Sequence, residues 1–315
     1  FSLIPDNAVY GIFRRDLAEL LKALRPGFVR FAGGCVVEGN TLANRYQWKL
    51  SVGQPERRRQ NWNRWAIHGA GEEGDFRSPF SHYGQTLGVG YYEYFLLCEY
   101  LGAKPLPVVG LGIACQYMSK EAVAADDPEL EVYIQEALDV VEFANGGRDS
   151  VWGRVRAEMG HPEPFGLEYL GLGNEQWETK ESEFYHRFEI FSARVREKYP
   201  EIKIIGTVGP DVGTPRYEEA WAWTRKNLER DPAFVYASDE HFYVAPEWLY
   251  AHTDMYDAYP RSGLVYAGEY AAHVSGVAGS LAPAANVWEG ALAEAAFMTG
   301  MERNADVVVM RSYAP

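Results

Sequence analysis

Leu167-Glu168-Tyr169-Leu170-Gly171-Leu172, then Glu181 to Tyr199, then Lys203-Ile204-Ile205-Gly206-Thr207 decide the fold of this chain: two short apolar runs flank a segment with helical period. Strand, helix and strand joined by short links form a parallel βαβ unit, because the crossover must cover the sheet with its helix. The alternation extends outward in both directions. Upstream lie a helix over Arg14 to Arg25, with Leu17, Leu20, Leu21 and Leu24 at helical spacing and Pro26-Gly27 as its stop, and a strand at Phe28 to Phe31. A helix over Tyr91 to Leu101, a strand at Leu106 to Val109 and a helix over Glu129 to Ala144 follow. Downstream come a helix over Arg216 to Arg230, a strand at Val235 to Tyr243 and a helix over Glu247 to Tyr256. The strand Leu264 to Ala267, the helix Val287 to Arg303 and the strand Val307 to Met310 complete the series.

Seven helices and seven strands in strict alternation predict an α/β fold, a (β/α)8 TIM barrel read from its first helix to its eighth strand. The first strand is not recognisable, and neither is a last helix. An open parallel sheet tolerates seven strands, whereas a barrel with one absent exposes two edges of unpaired backbone groups. Either Phe1 to Tyr10 supplies the strand or a segment outside these residues does.

The 315 residues, 47% hydrophobic and 23% charged, are enough for one large core, so residues 1–315 read as a single catalytic-size domain and as a piece of a longer chain. Thirty Lys and Arg against 44 Asp and Glu give a formal charge of −14, which repels phosphate backbones and acidic headgroups. Nucleic acid and membrane surface are thereby excluded as expected partners. No apolar run approaches the roughly 18 to 20 residues that cross a bilayer. The chain begins with Phe rather than Met, so a removed upstream segment is compatible with it and the compartment stays open. Cys35, Cys98 and Cys115 are odd in number and far apart, which argues for reduced, packed thiols. The seven histidines lack metal-ligand spacing, and phosphate-loop, serine-hydrolase and zincin motifs are missing, so neither metal nor cofactor is expected.

Two glutamates directly follow apolar strands, in Gly173-Asn174-Glu175-Gln176-Trp177 and Gly268-Glu269-Tyr270-Ala271. In a barrel such positions lie at the mouth, where partial desolvation tunes a carboxyl and two facing groups can divide acid and nucleophile roles. In Asp239-Glu240-His241-Phe242-Tyr243, two-residue alternation puts Asp239, His241 and Tyr243 on one face, three polar groups that need a site or a network. Arg30 lies within a strand that should be buried and needs an anion, for which a strand-end glutamate is the candidate. The long irregular stretch Ala32 to Gly90 holds Trp48, Trp62, Trp65, His68, Phe76, Phe80, His82 and Tyr83, rings that would suit the apolar faces of sugars or pack the loop. Arg57-Arg58-Arg59 reads as a solvated loop face.

At these residues the chain resembles glycoside hydrolase family 51, the α-L-arabinofuranosidases of the retaining (β/α)8 clan. The resemblance is carried by Phe28 to Gly39 (FVRFAGGCVVEG), Tyr46-Gln47-Trp48-Lys49, Gly171-Leu172-Gly173-Asn174-Glu175, Gly268-Glu269-Tyr270-Ala271 and Ala291 to Gly300 (ALAEAAFMTG), in order along nearly the whole chain. It implies Glu175 as general acid/base and Glu269 as nucleophile. It also implies that Asn174 binds the sugar 2-hydroxyl, Tyr243 hydrogen-bonds the nucleophile, Arg30 holds that carboxylate ionised, and Cys35 and His241 line the glycone subsite. The implied substrates are plant cell-wall arabinan, arabinoxylan or their oligosaccharides, with no cofactor, and homo-oligomers are common in the family. The chain departs from the family at Ala32, where proline is usual, and in an atypical insertion around Glu72 to Gln85. An N-terminal strand with a substrate-binding glutamate and an accessory β-sandwich, both family features, are not found in these residues. An endo-β-glucanase of the same family and a non-catalytic carbohydrate-binding barrel are the alternative readings.

Overall fold

The leucines at helical spacing form α1 (Arg15–Ala23), but the side that packs inward is carried by Ala18, while Leu17, Leu20, Leu21 and Leu24 remain exposed. The computed structural model describes residues 4–62, 84–274 and 287–314. Within these the chain divides into two compact units, the first comprising Phe1–Asn174 and Lys180–Lys203, the second Glu175–Thr179 and Ile204–Pro315.

In the first unit α1 is followed by β1 (Phe28–Phe31), α2 (Cys35–Glu38), β2 (Asn61–Trp62), β3 (Gly84–Gln85), α3 (Tyr91–Leu101), β4 (Lys104–Val109), α4 (Leu130–Asn145), α5 (Val151–Glu158), β5 (Tyr169–Leu172) and α6 (Phe184–Lys198). β1 pairs in parallel with β4 in the register Phe28 to Lys104, and β4 pairs with β5 through Val108 to Gly171. The short β2 and β3 form a separate antiparallel ladder. α3 begins where the Gly90 N–H donates to Glu93 Oε2 at 2.8 Å and stops at Gly102, whose φ of +69° continues no helix. Leu106, Val108, Leu170 and Leu172 pack with Tyr91, Phe95 and Phe143 into the core of this unit.

The second unit carries β6 (Lys203–Thr207, from Ile204 onward), α7 (Pro215–Arg230), β7 (Ala237–Val244), α8 (Pro246–Ala251), β8 (Val265–Ala272), α9 (Trp288–Arg303) and β9 (Val308–Arg311). Its four strands run parallel in chain order, β6 to β7, β7 to β8 and β8 to β9. Thr214 caps α7, accepting from the Tyr217 N–H, with Pro215 as its first residue. Every residue of β8 is buried, as a parallel strand covered on both faces requires. Each unit is thus a run of parallel strands joined by helical crossovers, three strands in the first and four in the second, the β/α repeat of a (β/α)8 barrel. Among the described residues no helix is long and apolar enough to cross a membrane.

All seven expected strands are present; several boundaries differ, and two of the described helices, α2 and α5, were not expected. α5 escapes the periodic reading because Val151 to Glu158 is only two turns long and contains Gly153, too short for a helical period to show; it starts on the Ser150 hydroxyl, which accepts from the Gly153 N–H at 3.1 Å. α8 ends at Ala251, five residues short of expectation, and Tyr256 beyond it lies in a turn with its ring buried. β8 runs on to Ala272, because Glu269 interrupts the apolar run in sequence without interrupting the strand. Within the stretch read as irregular, α2 is helical, and Ile4 to Tyr10 forms turns with one bridge between Val9 and Phe13. The Arg57 to Arg59 expectation fails at its middle residue. The Arg58 side chain is buried and donates to both Glu93 oxygens at 2.8 Å, an ion pair that a run of like charges does not announce. Trp48 packs against Tyr91, Phe143 and Trp152 and donates to the Glu136 carbonyl, a packing role. Trp65, His68, Phe76, Phe80, His82 and Tyr83, and the Glu72 to Gln85 insertion up to Tyr83, lie outside the described residues.

Candidate active site

In the second unit the pairing of β7 with β8 shifts register between Glu240 and His241, so that His241 comes level with Glu269. Alternation along β7 sends Asp239, His241 and Tyr243 to one face and Glu240 to the other. His241 is fully buried; its Nε2 lies 3.0 Å from Asp239 Oδ2 and its Nδ1 3.0 Å from Glu175 Oε1 and 3.6 Å from Glu269 Oε2. Tyr243 Oη donates to Glu269 Oε2 at 2.7 Å. Burial alone would lower the proton affinity of His241. The charges of Asp239 and Glu269 and the hydrogen bonds to Asp239 and Glu175 outweigh it and raise the pKa well above 6.5. The ring is thus set among the side-chain oxygens of Asp239, Glu175 and Glu269, surroundings that favour its protonated form.

The backbone is built for this cluster at two points. Glu175 takes φ +47°, a left-handed conformation that costs a residue with a Cβ on the order of 1–2 kcal/mol and marks places where side-chain aim matters more than backbone ease. Gly268 lies against the Asp239 carboxyl, where any Cβ would overlap Oδ1, so a glycine before Glu269 is what lets Asp239 reach His241. Beside Glu175, the Trp177 ring is covered by the Arg216 guanidinium at 4.3 Å, a cation–π pair that fixes an aromatic platform.

The opposite face of β7 holds a second polar cluster. Glu240 is fully buried and accepts from Tyr217 Oη at 2.7 Å, Trp221 Nε1 at 2.9 Å and Tyr256 Oη at 2.9 Å, and also from Tyr259 Oη. Burial raises its carboxyl above the usual range while those four donors pull it back down.

In the first unit Arg30 Nη2 donates to Asn174 Oδ1 at 2.6 Å, and Asn174 Nδ2 donates to Glu38 Oε2 at 3.1 Å. A pure donor on one side and a pure acceptor on the other leave the amide a single orientation, with one N–H still to give. Gly33 admits the Arg30 side chain, since a Cβ there would overlap its guanidinium. Cys35, at the start of α2, Glu38 at its end and Cys115 are all buried, with one donor atom of each within 4.8 Å of the others. The third cysteine, Cys98, sits apart in α3, where burial pushes its thiol up to about 12.

The fold thus brings Glu175, Glu269, His241 and Tyr243 together in the second unit, and Arg30, Asn174 and Cys35 into neighbouring positions of the first. Asp239, Glu38 and Cys115 were given no place in the site by sequence. Asp239 was legible as part of a polar face; Glu38 and Cys115 carried no signal beyond an acidic residue and a thiol in apolar surroundings. Glu175, His241 and Glu269 also lie close enough for one cation to reach all three, yet the ring nitrogens are already engaged by Asp239 and Glu175.

Residues 20–261 match the family model of the α-L-arabinofuranosidase 1 domain, and residues 268–315 match that of the α-L-arabinofuranosidase C-terminal domain. The chain is 42% identical to an extracellular exo-α-L-arabinofuranosidase of Streptomyces chartreusis, over 96% of this chain and 34% of that protein. It is 34% identical to α-L-arabinofuranosidase 2 of Arabidopsis thaliana, over 100% of this chain and 40% of that one. It therefore spans less than half the length of these relatives. Among solved structures, an arabinose-bound family 51 α-L-arabinofuranosidase superposes with a TM-score of 0.77 at 30% identity, covering 98% of this chain and 44% of that chain. The arabinose complex of the Thermotoga maritima α-L-arabinofuranosidase, at 18% identity and TM-score 0.68, shares the fold over 100% of this chain and 60% of that one.

Proposed function

The chain belongs to glycoside hydrolase family 51, the α-L-arabinofuranosidases, and from that premise we propose that it releases α-L-arabinofuranosyl residues from arabinan, arabinoxylan or their oligosaccharides by double displacement. In the first step the Glu269 carboxylate attacks the anomeric carbon as Glu175 gives its proton to the leaving oxygen, forming a glycosyl-enzyme. In the second, Glu175 takes a proton from water, which opens that ester and frees the sugar with its configuration retained. No cofactor enters either step.

The observation that carries this reading is the separation of the two carboxylates. Oxygens of Glu175 and Glu269 lie within 4.8 Å of each other, bridged by His241. Retaining pairs stand about 5 to 5.5 Å apart, while inverting pairs need roughly 6.5 to 9.5 Å to admit water. Tyr243 supports the nucleophile role, since its hydroxyl donates to and orients one Glu269 oxygen. For Arg30, Cys35 and Asn174 we propose sugar binding, with the free N–H of Asn174 donated to the 2-hydroxyl. The seven parallel strands are assigned as strands two to eight of the barrel, and residues 1–315 as one catalytic domain.

The test is an aryl α-L-arabinofuranoside assayed beside a β-glucan. Glu269→Ala should abolish arabinoside hydrolysis, and Glu175→Ala should lose about 10²- to 10⁴-fold on substrates with poor leaving groups. Azide should rescue Glu175→Ala and yield the glycosyl azide of retained configuration. A Glu269→Ala protein as active as the parent, or preference for the β-glucan, overturns the proposal.

A further inference from the structure

We infer that Cys35, Glu38 and Cys115 form a binding site for one thiophilic divalent cation, zinc or cadmium, in the first unit. Two thiol sulfurs and a carboxylate oxygen lie within 4.8 Å of one another, all from buried residues. Tetrahedral zinc with metal–sulfur bonds of about 2.3 Å sets its sulfurs roughly 3.8 Å apart, so side-chain closure over such a cation is small. The backbone holds the three donors in place beforehand. The Gly39 N–H donates to the Cys35 carbonyl at 2.9 Å, closing the turn that carries Cys35 and Glu38, and the Cys115 N–H donates to the Gly39 carbonyl at 2.8 Å, docking the second thiol against that turn.

Donor type selects the metal. Sulfur ligands favour zinc and cadmium over magnesium and calcium, which seek all-oxygen shells. Glu38 is oriented by Asn174, itself held by Arg30, the kind of outer support that fixes a ligating carboxylate. Two thiolates and a carboxylate bring three negative charges to a dication, and the nearby guanidinium offsets the excess. On binding, each sulfur–hydrogen bond is replaced by a sulfur–metal bond and both protons leave to solvent. Three protein ligands leave a fourth position to water. The cation site shares Cys35 with the proposed sugar-binding residues, but its argument rests on the donor geometry alone and uses no step of the proposed function. Inhibition by an occupant beside Cys35 rests on that reading, and the test below does not use it.

The reduced, chelator-stripped chain is titrated with cadmium chloride while the ultraviolet thiolate-to-cadmium charge-transfer band, heat and released protons are recorded. One cadmium per chain is expected, with about two protons released. The band should vanish in Cys35→Ala and in Cys115→Ala and persist in Cys98→Ala, and Asn174→Ala should weaken affinity roughly 10- to 100-fold. If a cysteine variant fails to fold, the parent chain decides: bound cadmium should protect Cys35 and Cys115, but not Cys98, from a small alkylating reagent read by mass spectrometry. Absence of a stoichiometric band, a band retained in Cys115→Ala, or equal alkylation of all three thiols with and without cadmium overturns the site.

Discussion

Asp239 Oδ2 lies 3.0 Å from Nε2 of His241 on the same face of β7, two residues away along the strand, and so raises the proton affinity of a fully buried imidazole. The opposite ring nitrogen points to Glu175 at 3.0 Å. Asp239 therefore acts on the proposed acid/base through His241: its charge sets how tightly the ring keeps the proton that faces Glu175.

Replacing Asp239 by asparagine keeps the shape and removes the charge. The proton affinity of His241 should fall, and the alkaline limb of the kcat/KM profile should move to lower pH, with KM little changed. The same substitution has a stability signature. Because the folded pKa of His241 is raised above the ordinary 6.5, its contribution is fully present below about that pH and is lost as pH rises through the folded value. Melting temperatures should therefore decline on the alkaline side in the parent and decline less in Asp239→Asn. Superimposable pH profiles of rate and stability would remove Asp239 from this role.

Tyr243→Phe deletes one hydroxyl that donates to Glu269 at 2.7 Å. A hydrogen bond to a charged group contributes about 1.5–3 kcal/mol, which is roughly 10- to 150-fold in rate if it is felt in the transition state. The loss should fall on kcat, because the hydroxyl orients the proposed nucleophile. A change confined to KM would mean that Tyr243 serves binding.

How far these elements could be read in advance follows from the range of the interactions. The helix Tyr91–Leu101 and the strand Lys203–Thr207 were legible residue for residue, because local period and turn residues specify them. The polar face of β7 was legible for the same reason. The burial of Arg58 was not, since its partner Glu93 lies 35 residues away and the run of arginines looks like any solvated charge cluster. Cys115 was read as a packed thiol, and nothing local to it points to Cys35 or Glu38. The Glu240 cage was hidden too, because its donors come from α7 and the turn after α8, and an alternating strand pattern records only that residue 240 faces away from the site.

That cage gives a stability expectation. Glu240 collects four donors in a fully buried space, and three of them are tyrosine hydroxyls that can turn to accept instead. The Trp221 N–H cannot. Glu240→Gln should cost about 1 kcal/mol, because the hydroxyls rearrange around the amide. Glu240→Leu strands the indole and the hydroxyls, and should cost at least about 3 kcal/mol at one to three per unsatisfied group. Urea unfolding of the two variants checks the order, and equal losses would show that packing, not hydrogen bonding, holds the site.

The last expectation concerns Glu38. Arg30 fixes the oxygen of the Asn174 amide and Glu38 fixes one of its N–H groups, so the remaining N–H has one direction available. In Glu38→Leu the oxygen end stays held while the nitrogen end loses its acceptor, and the donor proposed for the sugar 2-hydroxyl is no longer aimed. A hydrogen bond to a carboxylate at this level is worth about 1.5–3 kcal/mol, so kcat/KM for an aryl arabinofuranoside should drop roughly 10-fold or more. The 2-deoxy arabinofuranoside offers nothing for that donor to bind, and Glu38→Leu should leave its hydrolysis near the parent rate. Equal losses on the two substrates would mean that Glu38 supports the fold of α2 and not the aim of Asn174.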